Sequence, residues 1–210
     1  MISKIKVQDM GHVDYKSSWD FQKEYHKKVL LGIEPDTLFF VEHEPVYTLG
    51  KNADPNHLLQ SADKDVKVFN IERGGDITFH GPGQIVGYPI LDLNRYKKNI
   101  SWYMRTLEQI LIRTLATYDI LAEIKEGLTG VWVGEEKIGA QGIRISRWVT
   151  MHGFALNVNT KLSYFDGIIP CGIFEHGVTS MEKILGEKQN LISIKDRIAQ
   201  LFNEAFKIKD

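Results

Sequence analysis

Residues 73–93 read RGGDITFHGPGQIVGYPILDL. The paired Gly74 and Gly75 permit positive φ and close backbone approach, and they precede a strand predicted over Asp76–Phe79. A second sharp turn follows at His80-Gly81-Pro82-Gly83-Gln84, where Pro82 fixes φ between two permissive neighbours. A further strand is predicted over Ile85–Leu91. Outward from this stretch the pattern repeats. The apolar run Thr37–Glu42 (TLFFVE), ended by His43-Glu44-Pro45, reads as a buried strand, and Val66–Ile71 as a weakly alternating one. Downstream, Ala122–Lys125, Gly130–Val133, Lys137–Ser146 and Thr150–Asn157 are short runs with turn glycines between them, the mark of antiparallel strands and hairpins. Three helices are predicted: Tyr15–Leu31 behind an Asp14 cap, Ser101–Ile120 with Ser101 as cap, and Ile192–Phe206. In the second, Tyr103, Leu107, Ile110, Leu111, Leu115 and Tyr118 form one apolar stripe. Strand clusters punctuated by a few helices argue for an α+β fold, a mixed and largely antiparallel sheet flanked by helices.

At 210 residues the chain fits one domain spanning 1–210. Its 43% hydrophobic and 25% charged residues are ordinary for a soluble protein, and a net charge of −1 argues against nucleic acid or an anionic membrane as partner. The first ten residues contain no apolar signal core, and no apolar run reaches membrane-spanning length, so a cytoplasmic location is expected. A single cysteine makes no internal disulfide, and with dispersed histidines it offers no metal-ligand spacing. Neither GxxxxGK[ST] nor a GxGxxG after a strand is present. No metal or cofactor is expected.

That cysteine, Cys171, lies in Ile169-Pro170-Cys171-Gly172-Ile173, where flanking Pro and Gly indicate a loop. A thiol is the strongest neutral-pH nucleophile among side chains; the plainer reading is a small buried hydrophobe. Lys137, in Gly134–Gly142, is either a solvated turn lysine or an ammonium held near the thiol. In the second case it favours the thiolate, at about 1.4 kcal/mol per unit of pKa lowering. His152 and His176 are competing bases, so a Cys/His enzyme stays open on composition alone. Arg73, at the rim of its glycine turn, can anchor a carboxylate, amide or phosphate. His80 can orient an acyl carbonyl or move a proton, or simply bond to backbone.

In order, spacing and wording, RGGDITFHGPGQIVGYPILDL, GVWVGEEKIGAQGIRISRWVTMHGFALNV, IIPCGI and GVTSM resemble the lipoyl(octanoyl) transferases of lipoate biosynthesis. The likeness extends from the first helix onward. It implies the fold of the biotin/lipoate protein ligase group, related to class II aminoacyl-tRNA synthetases. It also implies octanoyl transfer from octanoyl-acyl carrier protein to a lysine of lipoyl domains, as in 2-oxoacid dehydrogenases and the glycine cleavage H protein. Carried over by position, Cys171 is the acyl-thioester nucleophile and Lys137 its pKa-lowering partner. Arg73, Gly74, Gly75, Asp76, Ile77, Thr78, Phe79 and His80 form one wall of the acyl site. Ala140, Gln141 and Gly142, with Gly153, Phe154 and Ala155, form the others. Gln141 stands where an apolar residue is often found. Backbone N–H groups near Cys171 and Gly172 would meet the tetrahedral oxyanion. The rival readings are an ATP-dependent lipoate or biotin ligase on the same fold, and a non-catalytic lipoyl-domain-binding module.

Overall fold

The computed structural model describes residues 5–169 and 176–207. In chain order the elements are β1 (Lys6–His12), α1 (Tyr15–Leu30), β2 (Thr37–Glu42), β3 (Val46–Leu49), β4 (Lys67–Asn70), β5 (Ile77–His80), β6 (Gln84–Ile90) and α2 (Ile100–Ala116). There follow β7 (Val131–Val133), β8 (Glu136–Ser146), β9 (Val149–Asn157), β10 (Gly177–Val178), α3 (Met181–Leu185) and α4 (Leu191–Ala205). Short 3₁₀ turns at Pro55–His57, Leu93–Arg95 and Leu162–Gly167 fill three of the connections.

The main sheet has the order β1-β2-β6-β9-β8-β10, with β7 on β8's other edge. β2, β6, β9, β8 and β7 run antiparallel to their neighbours, whereas β1 joins β2 and β10 joins β8 in parallel. A small second sheet, β4-β3-β5, lies beside it. The fold is therefore α+β, as the sequence pattern requires.

Period-two alternation sorts the central strands between two cores. Leu38, Phe40, Ile85, Phe154 and Leu156 pack with Leu107, Leu111, Ile194 and Phe202 of α2 and α4. Phe39, Val41, Val86, Tyr88 and Ala155 face Tyr25 and Val29 of α1. With helices on both faces, β2, β6 and β9 are buried at every position, which is why TLFFVE reads as a continuous apolar run.

Several boundaries differ from the sequence expectations. Asp14 does cap α1, accepting from the Ser17 N–H. The cap of α2, however, is Asn99, whose side chain accepts from Trp102 N–H, so Ser101 lies inside the helix. That helix stops at Ala116, capped by Thr117, and Asp119 beyond it takes a left-handed φ of 57°. Residues 122–125 form a single bridge, Glu123 to Trp132, instead of a strand. β1 and β3 were not anticipated: β1 is an edge strand exposed over most of its length, and β3 is too short to register as a period.

Candidate active site

The floor of a narrow slot is built on β8 and β9. The cross-strand pairs Ala140–Ala155 and Gly142–Gly153 are both small, leaving a trench that larger side chains would fill. A Cβ on Gly142 would lie 2.8 Å from Arg73 Cδ, and one on Gly153 only 2.1 Å from the Gly87 carbonyl oxygen. The wall comes from the 73–80 stretch. Along β5, Thr78 and His80 face the slot, while Ile77 and Phe79 enter the core of the small sheet with Tyr47 and Phe165. Ile77 still borders the slot, but Phe79 does not: its ring stacks on Tyr164 with centroids 4.7 Å apart. Tyr15 from the start of α1 and Tyr88 from β6 close the remaining side. The slot holds about 50 Å³ of free space and opens past Gly75, Asp76 and Ala140 into a cavity of about 430 Å³.

Lys137 lines that wider cavity, only 6% exposed. Its ammonium lies 4.7 Å from the centre of the Trp132 ring, a cation–π contact. Its stem passes Gly130, where an added Cβ would come within 3.2 Å of Lys137 Cε. Its carbonyl accepts from Thr179 N–H at 3.0 Å, just beyond β10. Cys171 lies outside the described residues. On its N-terminal side, Ile169 N–H bonds to the His57 carbonyl; on its C-terminal side, β10 pairs Val178 with Lys137.

Polar groups of the wall form a continuous network. His80 Nδ1 meets Gln84 Oε1 at 2.8 Å, and Gln84 Nε2 donates to the Phe79 carbonyl and to Asn157 Oδ1. Asn157 Nδ2 then donates to the Thr179 carbonyl. Because the Gln84 amide nitrogen is committed, its oxygen is the acceptor and His80 Nδ1 carries the proton. Nε2 of His80 is left as a lone-pair acceptor. Burial holds the His80 pKa down at about 3, with the neighbouring His43 adding to the effect, so the ring is neutral. By the same reasoning His43 donates from Nδ1 to the Val13 carbonyl and accepts the Tyr88 hydroxyl at Nε2.

Arg73 is buried, with Nη2 donating to the Thr48 carbonyl and hydroxyl and Nη1 to the Gly74 carbonyl. It ties β3 to the glycine turn instead of presenting an open fork. Gln141 is explained by a residue the sequence reading missed. Its Nε2 donates to the buried carboxylate of Glu108 on α2, which also accepts from Gly130 N–H and Arg105. Of the two competing histidines, His176 sits edge-on to Trp132 with centroids 5.1 Å apart, on Lys137's side of the site. His152 lies in the slot, its pKa lowered to about 3 by burial and by the Arg73 charge. Also missed were Trp132, Gln84 and Asn157. All three had a signal, since they stand in the words GVWVGEEKIG, HGPGQ and GFALNV; for Glu108 nothing in the pattern separates a site residue from a core one. Among the described residues no three His, Cys, Asp or Glu side chains are grouped to hold a metal ion, and no helix is long and apolar enough to cross a membrane.

Residues 14–203 match the family model for the lipoyl protein ligase A/B catalytic domain. The chain belongs to that family. A relative from Flavobacterium psychrophilum named octanoyltransferase is 48% identical over 98% of both chains. Among solved structures, a lipoate-protein ligase A bound with ATP superposes with a TM-score of 0.74 over 97% of this chain and 85% of that one, at 12% identity. A biotin protein ligase from Aquifex aeolicus with biotin and ATP gives 0.60 over 95% and 69%, at 14% identity. At such identities these two establish the shared fold alone, the ligase-group fold that the motif words imply. The Flavobacterium relative is close enough to bear on activity.

Proposed function

We propose that this protein is an octanoyltransferase, moving an octanoyl group from octanoyl-acyl carrier protein to a lysine of lipoyl domains through a thioester on Cys171. The names of the close relatives point the same way. The observation that carries the reading is the position of Lys137, buried in the wall of the wider cavity into which the narrow, small-floored slot opens. It is also hydrogen-bonded to the strand that follows the cysteine segment.

In this reading the acyl tail lies over Ala140, Gly142 and Ala155. Each buried methylene contributes about 0.8 kcal/mol. Lys137, steadied by Trp132, supplies the positive charge that favours the Cys171 thiolate. The thiolate attacks the thioester carbonyl, and collapse of the tetrahedral species expels the carrier's phosphopantetheine thiolate. That leaving group takes up the proton the cysteine gave up. The neutral amine of the acceptor lysine then attacks the acyl-enzyme; the amide forms, the C–S bond breaks, and the amine's proton returns to Cys171. The acceptors are lipoyl domains such as those of 2-oxoacid dehydrogenases and the glycine cleavage H protein. A reducing cytoplasm suits a lone reactive thiol.

Intact-protein mass after brief incubation with octanoyl-acyl carrier protein, without ATP, tests the reading. Wild type gains one octanoyl group and loses it to an added lipoyl domain, whereas Cys171→Ala gains none. Transfer that requires free octanoate and ATP would overturn it.

A further inference from the structure

We infer that His152, backed by Gln22 of α1, is the end stop that sets how long an acyl chain the slot accepts. This rests on the acyl-transfer reading above and adds a specificity-determining residue to it. The alternation of β9 sends Phe154 and Leu156 to the α2/α4 core and Ala155 to the α1 side. By that alternation position 152 belongs with Phe154. Instead His152 has a φ of +60°, uncommon for a residue with a side chain, and its imidazole lines the slot beside Tyr88 and His80. The Gln22 side-chain oxygen accepts from the His152 N–H at 3.0 Å and fixes this departure.

His152 is 1% exposed, and neither of its ring nitrogens has a protein partner among the described residues. Buried polar atoms in native proteins are almost always satisfied, so these atoms face something the slot receives. Lys137 does not border this slot, and the residues there that share a cavity with it are those towards its mouth, not His152. From Lys137 to Ile143, the residue paired with His152, β8 advances roughly 20 Å. An eight-carbon chain with bonds of about 1.5 Å extends roughly 9 Å. With the lysine and imidazole side chains and the thioester taking up the rest, an end wall at His152 sorts medium chains from long ones.

A chain ending short of the ring leaves room for water to satisfy it. A longer chain must expel that water and strand the imidazole. Burying the two methylenes that decanoyl adds favours binding about fifteenfold, whereas leaving both buried ring nitrogens unpaired disfavours it about thirtyfold or more. The stop therefore wins.

The test is kcat/KM for hexanoyl, octanoyl, decanoyl and dodecanoyl thioesters of the carrier protein, with a lipoyl-domain acceptor. It compares wild type with His152→Asn, since Asn tolerates positive φ, and with Gln22→Met, which removes the amide at similar volume. The expected decanoyl-to-octanoyl ratio is below about one-tenth in wild type, rising about tenfold in His152→Asn and about threefold in Gln22→Met. A ratio compares two substrates on one protein, so lost stability alone does not move it. Ratios within twofold of wild type in folded variants would overturn the end stop, and Gln22→Met alone decides if His152→Asn does not fold. Wild type that transfers no acyl group of any length would overturn the acyl-transfer reading itself.

Discussion

Gly142→Ala adds one methyl to the floor of the slot, and the structure says what it would meet. The new Cβ lies 2.8 Å from Arg73 Cδ and 3.0 Å from the Gly74 carbonyl oxygen. The backbone at Gly142 is outside the left-handed region, so alanine is conformationally acceptable and the cost is steric. Overpacking of this kind costs about 1–3 kcal/mol, offset by about 0.4–1 kcal/mol from a stiffer unfolded chain. The net loss is about 1–2 kcal/mol, or about 3–6 °C in Tm for a chain of this size. To relieve the contact Arg73 must move, and it is held by Thr48 and Gly74, so the displacement narrows the slot. Displacing one or two methylenes of a bound acyl chain lowers kcat/KM for the octanoyl donor about 4- to 15-fold. A butyryl donor, too short to reach this part of the floor, should change less than twofold. Thermal melting and the octanoyl-to-butyryl ratio of kcat/KM check both halves. An unchanged ratio, whatever happens to Tm, would refute the claim that Gly142 floors an acyl slot.

Four further outcomes are expected. Glu108→Leu strands Gly130 N–H and the Gln141 amide and should cost about 3 kcal/mol or more, read as a fall in denaturation midpoint; a midpoint unchanged within error would refute the network. Asn99→Ala should cost about 1 kcal/mol and Ser101→Ala much less, and equal losses would return the cap to Ser101. Lys137→Met should leave the fold intact but move the alkaline limb by which the Cys171 thiolate forms to higher pH; a profile superposable on wild type would remove Lys137 from the mechanism. Acidification should destabilise the fold through three buried histidines. His43, His80 and His152 have folded pKa values near 4, 3 and 3 against an ordinary 6.5. Between about pH 6.5 and 4 the unfolded chain binds protons that the native state refuses, so stability rises with pH across that window. Each imidazole contributes at most about 1.4 kcal/mol per pH unit, and a Tm flat from pH 7 to 5 would refute the assigned neutral states.

What the chain discloses about itself follows from which forces act locally. The helices and the central strands are legible because burial on one stripe or on both faces writes itself into the residue pattern: α2 as Tyr103, Leu107, Ile110, Leu111 and Leu115, β2 as TLFFVE. The edge strand β1 is illegible because its exposed positions impose no such pattern. The glycine words announce close approach, and the structure supplies the object approached: Arg73 for Gly142, the Gly87 carbonyl for Gly153. Phe79 and Thr78 are neighbours in one wall word, yet β-strand alternation turns one into a core and the other towards the slot. Gln141 looks out of place until α2 brings Glu108 beside it, a contact across 33 residues of sequence. His152 is the sharpest case. Its composition is that of any strand histidine, and only its left-handed backbone turns it from one core to the other face.

The shared fold with ATP-bound ligases leaves the choice of chemistry to the site, since a fold alone does not select a reaction. An adenylating site must hold a polyphosphate, and cations near it are the means. Among the described residues lining the wider cavity, the cationic side chain is Lys137, and the carboxylate there, Asp76, is engaged by His57 Nδ1 at 2.6 Å and by the Ile77 N–H. Arg73, the cation of the adjoining slot, spends its guanidinium on Thr48 and Gly74. One ammonium in a cavity that also holds a carboxylate is a poor receptor for a triphosphate but a sufficient partner for a single thiolate. Transfer from a pre-activated thioester asks for no more than that. If the argument is right, millimolar ATP should neither bind measurably by calorimetry nor alter the rate of octanoyl transfer, and octanoate with ATP should label no residue of the chain. Measurable ATP binding that Lys137→Met abolishes would reverse the assignment in favour of a ligase.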